Sequence, residues 1–186
     1  MIIVAGGDSF VWGSELADSP HGGPDGYSRN TYSALLAGDN YICAAYPGIS
    51  NKEIVTRTKK AVAGLSTRVG VIVSWTWSSR DNKIDSDDEI LDLQEFLVGK
   101  NIPYMFTSSD NCVNTGHPAI KWENWFWFPP ATEEWLTTVP RGFYQWAIQN
   151  KYQVASKDGH PLEQAHVDAA NLMKDKFDEL VKKHLE

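Results

Sequence analysis

Short apolar runs alternate with amphipathic stretches along most of this chain. Ile2 to Ala5 is apolar at every position and runs into glycines, which predicts a strand buried on both faces of a parallel sheet. Tyr41 to Ala45 has the same character and stops before Pro47 and Gly48. Between them, Tyr32 to Ala37 predicts a helix with Leu35 and Leu36 on its buried face. Ser50 to Glu53 carries a hydroxyl at the N-cap and a carboxylate three residues on, the capping-box pattern. The helix it opens places Ile54, Val55, Thr58, Val62 and Leu65 close to a helical period. Val69 to Trp75 predicts a third strand. Ser86 to Glu89 repeats the capping box and opens a helix with Ile90, Leu93, Phe96 and Leu97 inward. Ile102 to Phe106 predicts a fourth strand. A last helix, from Glu163 to His184, carries Ala170, Met173, Phe177, Leu180 and Val181 along one stripe.

Strands and helices in strict alternation imply right-handed crossovers and a parallel sheet, the α/β class. One stretch, about 110–153, breaks the rhythm. It holds Trp122, Trp125, Trp127, Trp135 and Trp146 among Pro118, Pro129, Pro130 and Pro140, the composition of a lid, a binding surface or an interface. With 186 residues the chain suits a single domain, 1–186, with the Trp-rich stretch as an insertion.

A net charge of −7 with scattered Lys and Arg excludes a nucleic-acid surface, which needs clustered positive charge. No apolar stretch is long enough to span a bilayer, so no membrane partner is expected. Met1 runs into the first strand without a basic, apolar leader, and Cys43 and Cys112 read as free thiols. Both point to a cytoplasmic location. His21, His117 and His184 have no carboxylates at ligand spacing, so no metal is expected, and no motif calls for a cofactor.

In an open parallel sheet, ligands bind beyond the carboxyl ends of the strands. Three features fall there. Gly6, Gly7, Asp8, Ser9 and Phe10 follow the first strand, where a Ser entering a helix exposes its hydroxyl beside backbone N–H groups. Taken alone, this is equally an ordinary Ser N-cap with Asp8 in an Asx turn. After the second strand, Gly48 offers a backbone N–H and Asn51 an amide. After the third, Ser74, Thr76, Ser78, Ser79 and Arg80 offer hydroxyls and a guanidinium. Shortly before the last helix stand Asp158, Gly159, His160 and Pro161. A His beside a carboxylate has its tautomer and orientation fixed, as a general base for Ser requires. His166 reads as a structural helix residue.

Taken together, the strings GDSFVWGSEL (Gly7 to Leu16), PGISN (Pro47 to Asn51) and DGHP (Asp158 to Pro161) resemble the SGNH/GDSL esterase–lipase family. The resemblance implies a flavodoxin-like, three-layer α/β/α sandwich with a parallel sheet of four to five strands. It implies hydrolysis of a small-molecule acyl or acetyl ester, including one on a carbohydrate, with Ser9 as nucleophile, His160 as base and Asp158 as its orienter. Gly48 and the Ser9 N–H would supply oxyanion donors. Two features depart from the family. Thr76 stands where its third motif presents an Asn, and Thr76 or Asn51 is the candidate substitute. Asp158 lies two residues before His160 rather than three. The missing Asn keeps a second reading open, a catalytically weak or inactive module that binds through its aromatic segment. A third is acyl transfer to an acceptor other than water.

Overall fold

The computed structural model describes residues 1–19, 26–113, 116–129 and 142–183. Trp135, Pro130, Pro140, Arg141, His21 and His184 lie outside the described residues. The elements run β1 (Ile2–Gly6), α1 (Ser9–Trp12), α2 (Tyr32–Ala37), β2 (Tyr41–Cys43), α3 (Asn51–Ala63), β3 (Val69–Trp75), α4 (Asp87–Gly99), β4 (Tyr104–Ser108), α5 (Phe143–Gln149) and α6 (Glu163–Lys183). Short 3₁₀ turns occupy Ser78–Asp81 and Trp122–Asn124.

The four strands form one parallel sheet in the order β2-β1-β3-β4. β1 pairs with both β2 and β3, Val4 lying opposite Ile42 on one side and Val71 on the other. The chain therefore leaves β1 for one edge and returns across it to the other. The crevice made by that reversal opens at the carboxyl ends of β1 and β3. Ser9 begins three residues beyond the end of β1's pairing and stands at this crevice.

Alternation along each strand divides the core between two helical layers. Ile3, Ala5, Ile72 and Met105 pack with Tyr32, Phe143, Trp146, Met173 and Phe177 from α2, α5 and α6. Val4, Val71, Val73 and Phe106 pack on the other face with Ile54, Val55, Ile90, Leu93 and Leu97 from α3 and α4. The result is the α/β/α sandwich. All seven residues of β3 are buried, because the strand has neighbours at both edges and helices over both faces.

Several expectations shift at the level of single elements. In α2 it is Tyr32, Ser33 and Ala34 that are buried, while Leu35 is 41% exposed. Tyr32 anchors the helix by packing on Phe143 and His166, which turns Leu35 outward. The capping box of α3 is formed, with Ser50 and Glu53 bonded reciprocally. That of α4 is not. The Ser86 hydroxyl instead accepts from Asn51 Nδ2, and Glu89 pairs with Lys83. Phe96 is half-buried rather than inward, with Lys59 and Lys100 over its ring. β2 ends at Cys43, where the carbonyls of Ala44 and Ala45 turn to the Arg57 guanidinium. β4 starts at Tyr104, because Ile102 N–H still closes the last turn of α4 and Pro103 has no N–H to pair.

The Trp-rich stretch does not act as one unit. Trp125 and Trp146 are core residues, each 4% exposed. The chain at Phe126 lies along the free edge of β4, its N–H donating to Phe106 O. Trp122 and Trp127 are partly exposed, Trp127 stacking on Trp125 with ring centroids 4.9 Å apart.

Candidate active site

β1 passes into α1 through Gly7, where a Cβ would come within 2.5 Å of Val11 Cγ2, so only glycine fits this approach. Asp8 caps α1 by accepting from Phe10 N–H, and Ser9 is the first helical residue. From that position Ser9 Oγ lies 2.8 Å from His160 Nε2, and His160 Nδ1 lies 2.8 Å from Glu15 Oε2. A hydroxyl, an imidazole and a carboxylate thus stand in line. The imidazole is held from the side by Phe10, ring centroids 5.0 Å apart, and Phe10 is itself wedged against Phe143 and Tyr144.

The acid in this line is Glu15, not Asp158. α1 ends after one turn at Gly13 in the left-handed conformation, and Glu15 follows with φ 69°, left-handed again. Two such residues close together reverse the chain, bringing Glu15 back beside the helix that begins at Ser9. A left-handed non-glycine residue costs about 1 kcal/mol, so the surrounding contacts must hold it there. One of them is Glu163 at the start of α6, whose carboxylate accepts from Ala17 N–H at 2.8 Å. Gly159 takes a left-handed turn between Asp158 and His160, and the hydrogen bond at His160 Nδ1 goes to Glu15. The Asp158 carboxylate is 54% exposed and lies 3.8 Å from Lys157 Nζ.

Burial raises the cost of charge on Glu15, but the hydrogen bond and charge of His160, with the backbone N–H groups of Asp158 and His160, outweigh it. Its carboxyl is held below the ordinary carboxylate range. An ionised carboxylate only accepts, so Nδ1 carries the proton and Nε2 is left to accept from the Ser9 hydroxyl. That is the arrangement in which a serine can be deprotonated as it attacks. Glu15, Asp158 and His160 are also the only group among the described residues whose ligand atoms, all within 4.8 Å of one another, could hold a metal ion.

The remaining candidates have other partners. Asn51 is fully buried and donates through Nδ2 to Thr76 O and Ser86 Oγ while accepting from Thr76 N–H. Both of its amide hydrogens are committed. Thr76 donates its hydroxyl to Asp8 Oδ2 at 2.7 Å. Neither side chain is free to serve as the substitute for the missing Asn. Gly48 is exposed in the β2–α3 loop with φ 76°, open space standing where a Cβ would be. Arg80 reaches further into the site than its surface-like sequence context suggests. Its Nη1 donates to Ile49 O at 3.0 Å and lies 3.3 Å from Asp8 Oδ2. His166 is buried and accepts at Nδ1 from Tyr32 N–H, a structural residue.

Sequence reasoning missed Glu15 although it lies within the quoted GDSFVWGSEL string. The available signal was an acid just beyond a glycine that ends a one-turn helix.

No family model matches the chain, and no curated protein matches it. Among solved structures it is similar to a member of the lipolytic protein G-D-S-L family from Veillonella parvula DSM 2008. The identity is 17%, the TM-score 0.48, and the match covers 96% of this chain and 97% of that one.

Proposed function

We propose that this protein is a serine hydrolase of esters that works through Ser9, His160 and Glu15. The observation that carries the reading is the pair of 2.8 Å contacts joining Ser9 Oγ to His160 Nε2 and His160 Nδ1 to Glu15 Oε2. Ser9 Oγ attacks the ester carbonyl carbon as its proton passes to Nε2, and Glu15 stabilises the imidazolium formed. The tetrahedral intermediate collapses, the alcohol leaving with the proton from Nε2. Water then attacks the acyl-Ser9 ester with the same base and releases the acid. Backbone N–H groups of Ser9 and Gly48 are the oxyanion donors in this scheme, since the Asn51 and Thr76 side chains are engaged elsewhere.

A module that only binds through its aromatic segment has no need of an aligned serine, imidazole and carboxylate, so the short Ser9–His160 separation favours hydrolysis. Trp12, on the same turn as Ser9, and the half-exposed Tyr46 meet edge to face with centroids 5.2 Å apart, an apolar wall suited to an acyl or acetyl ester. Turnover of p-nitrophenyl acetate and of acetylated sugars by the parent, lost in Ser9→Ala with the fold intact, is the expected result. Equal turnover by the two proteins would refute the proposal.

A further inference from the structure

With Asn51 and Thr76 engaged, an oxyanion in this site depends on backbone N–H groups, and those are only as good as the placement of the two segments that carry them. One segment is the start of α1, with Ser9. The other is the β2–α3 loop, with Gly48. We propose that Arg80 is the positioning residue that fixes these two segments relative to each other. The inference rests on the hydrolase reading above.

Three observations carry it. A single nitrogen of Arg80, Nη1, reaches both segments: 3.0 Å to the carbonyl of Ile49, which follows Gly48, and 3.3 Å to the carboxylate of Asp8, which precedes Ser9. The Asp8 end is buried and multiply hydrogen-bonded: its carboxylate also accepts from Phe10 N–H, Thr76 Oγ1 and Ser109 Oγ, which join α1 to the ends of β3 and β4. The guanidinium is also held in place, lying 5.1 Å from the centroid of the Trp77 ring, at the head of the 3₁₀ turn that carries Arg80. The loop, by contrast, has no ladder partners beyond Ala44 N–H on Ala5 O and Tyr46 N–H on Gly7 O. Arg57 takes the carbonyls of Ala44 and Ala45 at its start. Beyond Gly48, Asn51 reaches Asp8 only through Thr76, whereas Arg80 joins the loop backbone at Ile49 to Asp8 directly.

A preorganised pair of donors is effective only at the distance where the charged oxygen forms, and a misplacement of about 1 Å costs on the order of 100-fold in rate. The interaction lost would be one made in the transition state, so kcat falls while KM stays. The stabilising part of Arg80's role, neutralising the buried Asp8 carboxylate, is separable by removing that charge as well.

The test compares the full-length parent, R80K, R80M, D8N and D8N/R80M. The readouts are thermal melting, kcat and KM on p-nitrophenyl acetate, and the Ki of a trifluoromethyl ketone that adds to Ser9 and leaves a charged oxygen in the oxyanion position. R80M is expected to lower kcat by roughly 30- to 100-fold with KM within about twofold, and to weaken the ketone by the same factor. R80K, which keeps a donor and a charge, is expected to recover part of both. D8N/R80M is expected to fall below D8N by a comparable factor. A folded R80M, or a folded D8N/R80M against D8N, with kcat within about threefold would overturn the assignment while leaving the hydrolase reading standing. So would kcat losses that the ketone affinity does not follow, or loss of the fold in both R80M and D8N/R80M. A folded parent without Ser9-dependent hydrolysis would overturn both.

Discussion

Glu15 and His160 are 145 residues apart in the chain and meet through one 2.8 Å hydrogen bond between Oε2 and Nδ1. The contact decides which imidazole nitrogen keeps its proton, and so whether Ser9 faces a base. Replacing Glu15 by Gln keeps the shape but allows the amide to donate to Nδ1, favouring the tautomer with the proton on Nε2. Glu15→Gln is therefore expected to lower kcat by roughly 10³- to 10⁴-fold. Asp158→Asn is expected to stay within a few-fold of the parent. Steady-state kinetics on the two variants check this, and the opposite ranking would return the acid's role to Asp158.

Asn51 is tied to Thr76, just past β3, by two hydrogen bonds and to Ser86 at the head of α4 by a third, all buried. Asn51→Ala leaves Thr76 N–H, Thr76 O and Ser86 Oγ without these partners, and buried unsatisfied groups cost about 1–3 kcal/mol each. A loss of about 3 kcal/mol in unfolding free energy is expected, allowing for some relaxation. The folded fraction at low temperature should keep kcat within about tenfold of the parent, because the amide is not a substrate donor in this scheme. Urea unfolding together with kinetics separates the two effects.

His166 gives the fold a pH dependence of its own. Desolvation, with the nearby His160 adding to it, lowers its pKa from 6.5 to about 3. The folded value lies below the unfolded one, so between these limits the unfolded chain binds a proton that the folded chain does not. The contribution is fully present above about 6.5 and is lost as pH falls toward 3, at about 1.4 kcal/mol per pH unit. Urea unfolding at pH 7.5, 6.5 and 5.5 should show the parent losing stability faster than His166→Phe by about one proton's worth of slope. Parallel pH profiles would mean that the imidazole protonates in place.

Acyl transfer uses the same residues as hydrolysis and differs in the acceptor. Ser9 is partly exposed, which leaves water a path to the acyl group, so hydrolysis is expected to dominate. Product analysis with added glycerol or glucose should find mainly free acid. Ester products that dominate at modest acceptor concentration would reverse that ordering.

How much of this the sequence reveals depends on the range of the interaction concerned. β1, β3, α3 and α6 are set by local apolar period and by a reciprocal cap, and they lie where the pattern puts them. Ser9 is legible because it follows the first strand of an open parallel sheet, and His160 because a carboxylate stands beside it just before the last helix. The α4 capping box is not, since the Ser86 hydroxyl has a competing donor, Asn51, which is 35 residues away. Glu15 is hidden for a different reason. Its role needs an unfavourable left-handed backbone that only the folded environment, including Glu163 from α6, can hold. Arg80 looks like any surface arginine until the sheet brings Asp8 and Ile49 to its guanidinium.

The most direct test of the central claim is labelling of the purified protein with a fluorophosphonate serine probe, comparing the parent with Ser9→Ala and His160→Ala. The account predicts rapid labelling of the parent at Ser9, none at that position in Ser9→Ala, and at least about 100-fold slower labelling in His160→Ala. A folded parent that is not labelled, or labelling that persists undiminished in His160→Ala, would contradict an activated Ser9 nucleophile.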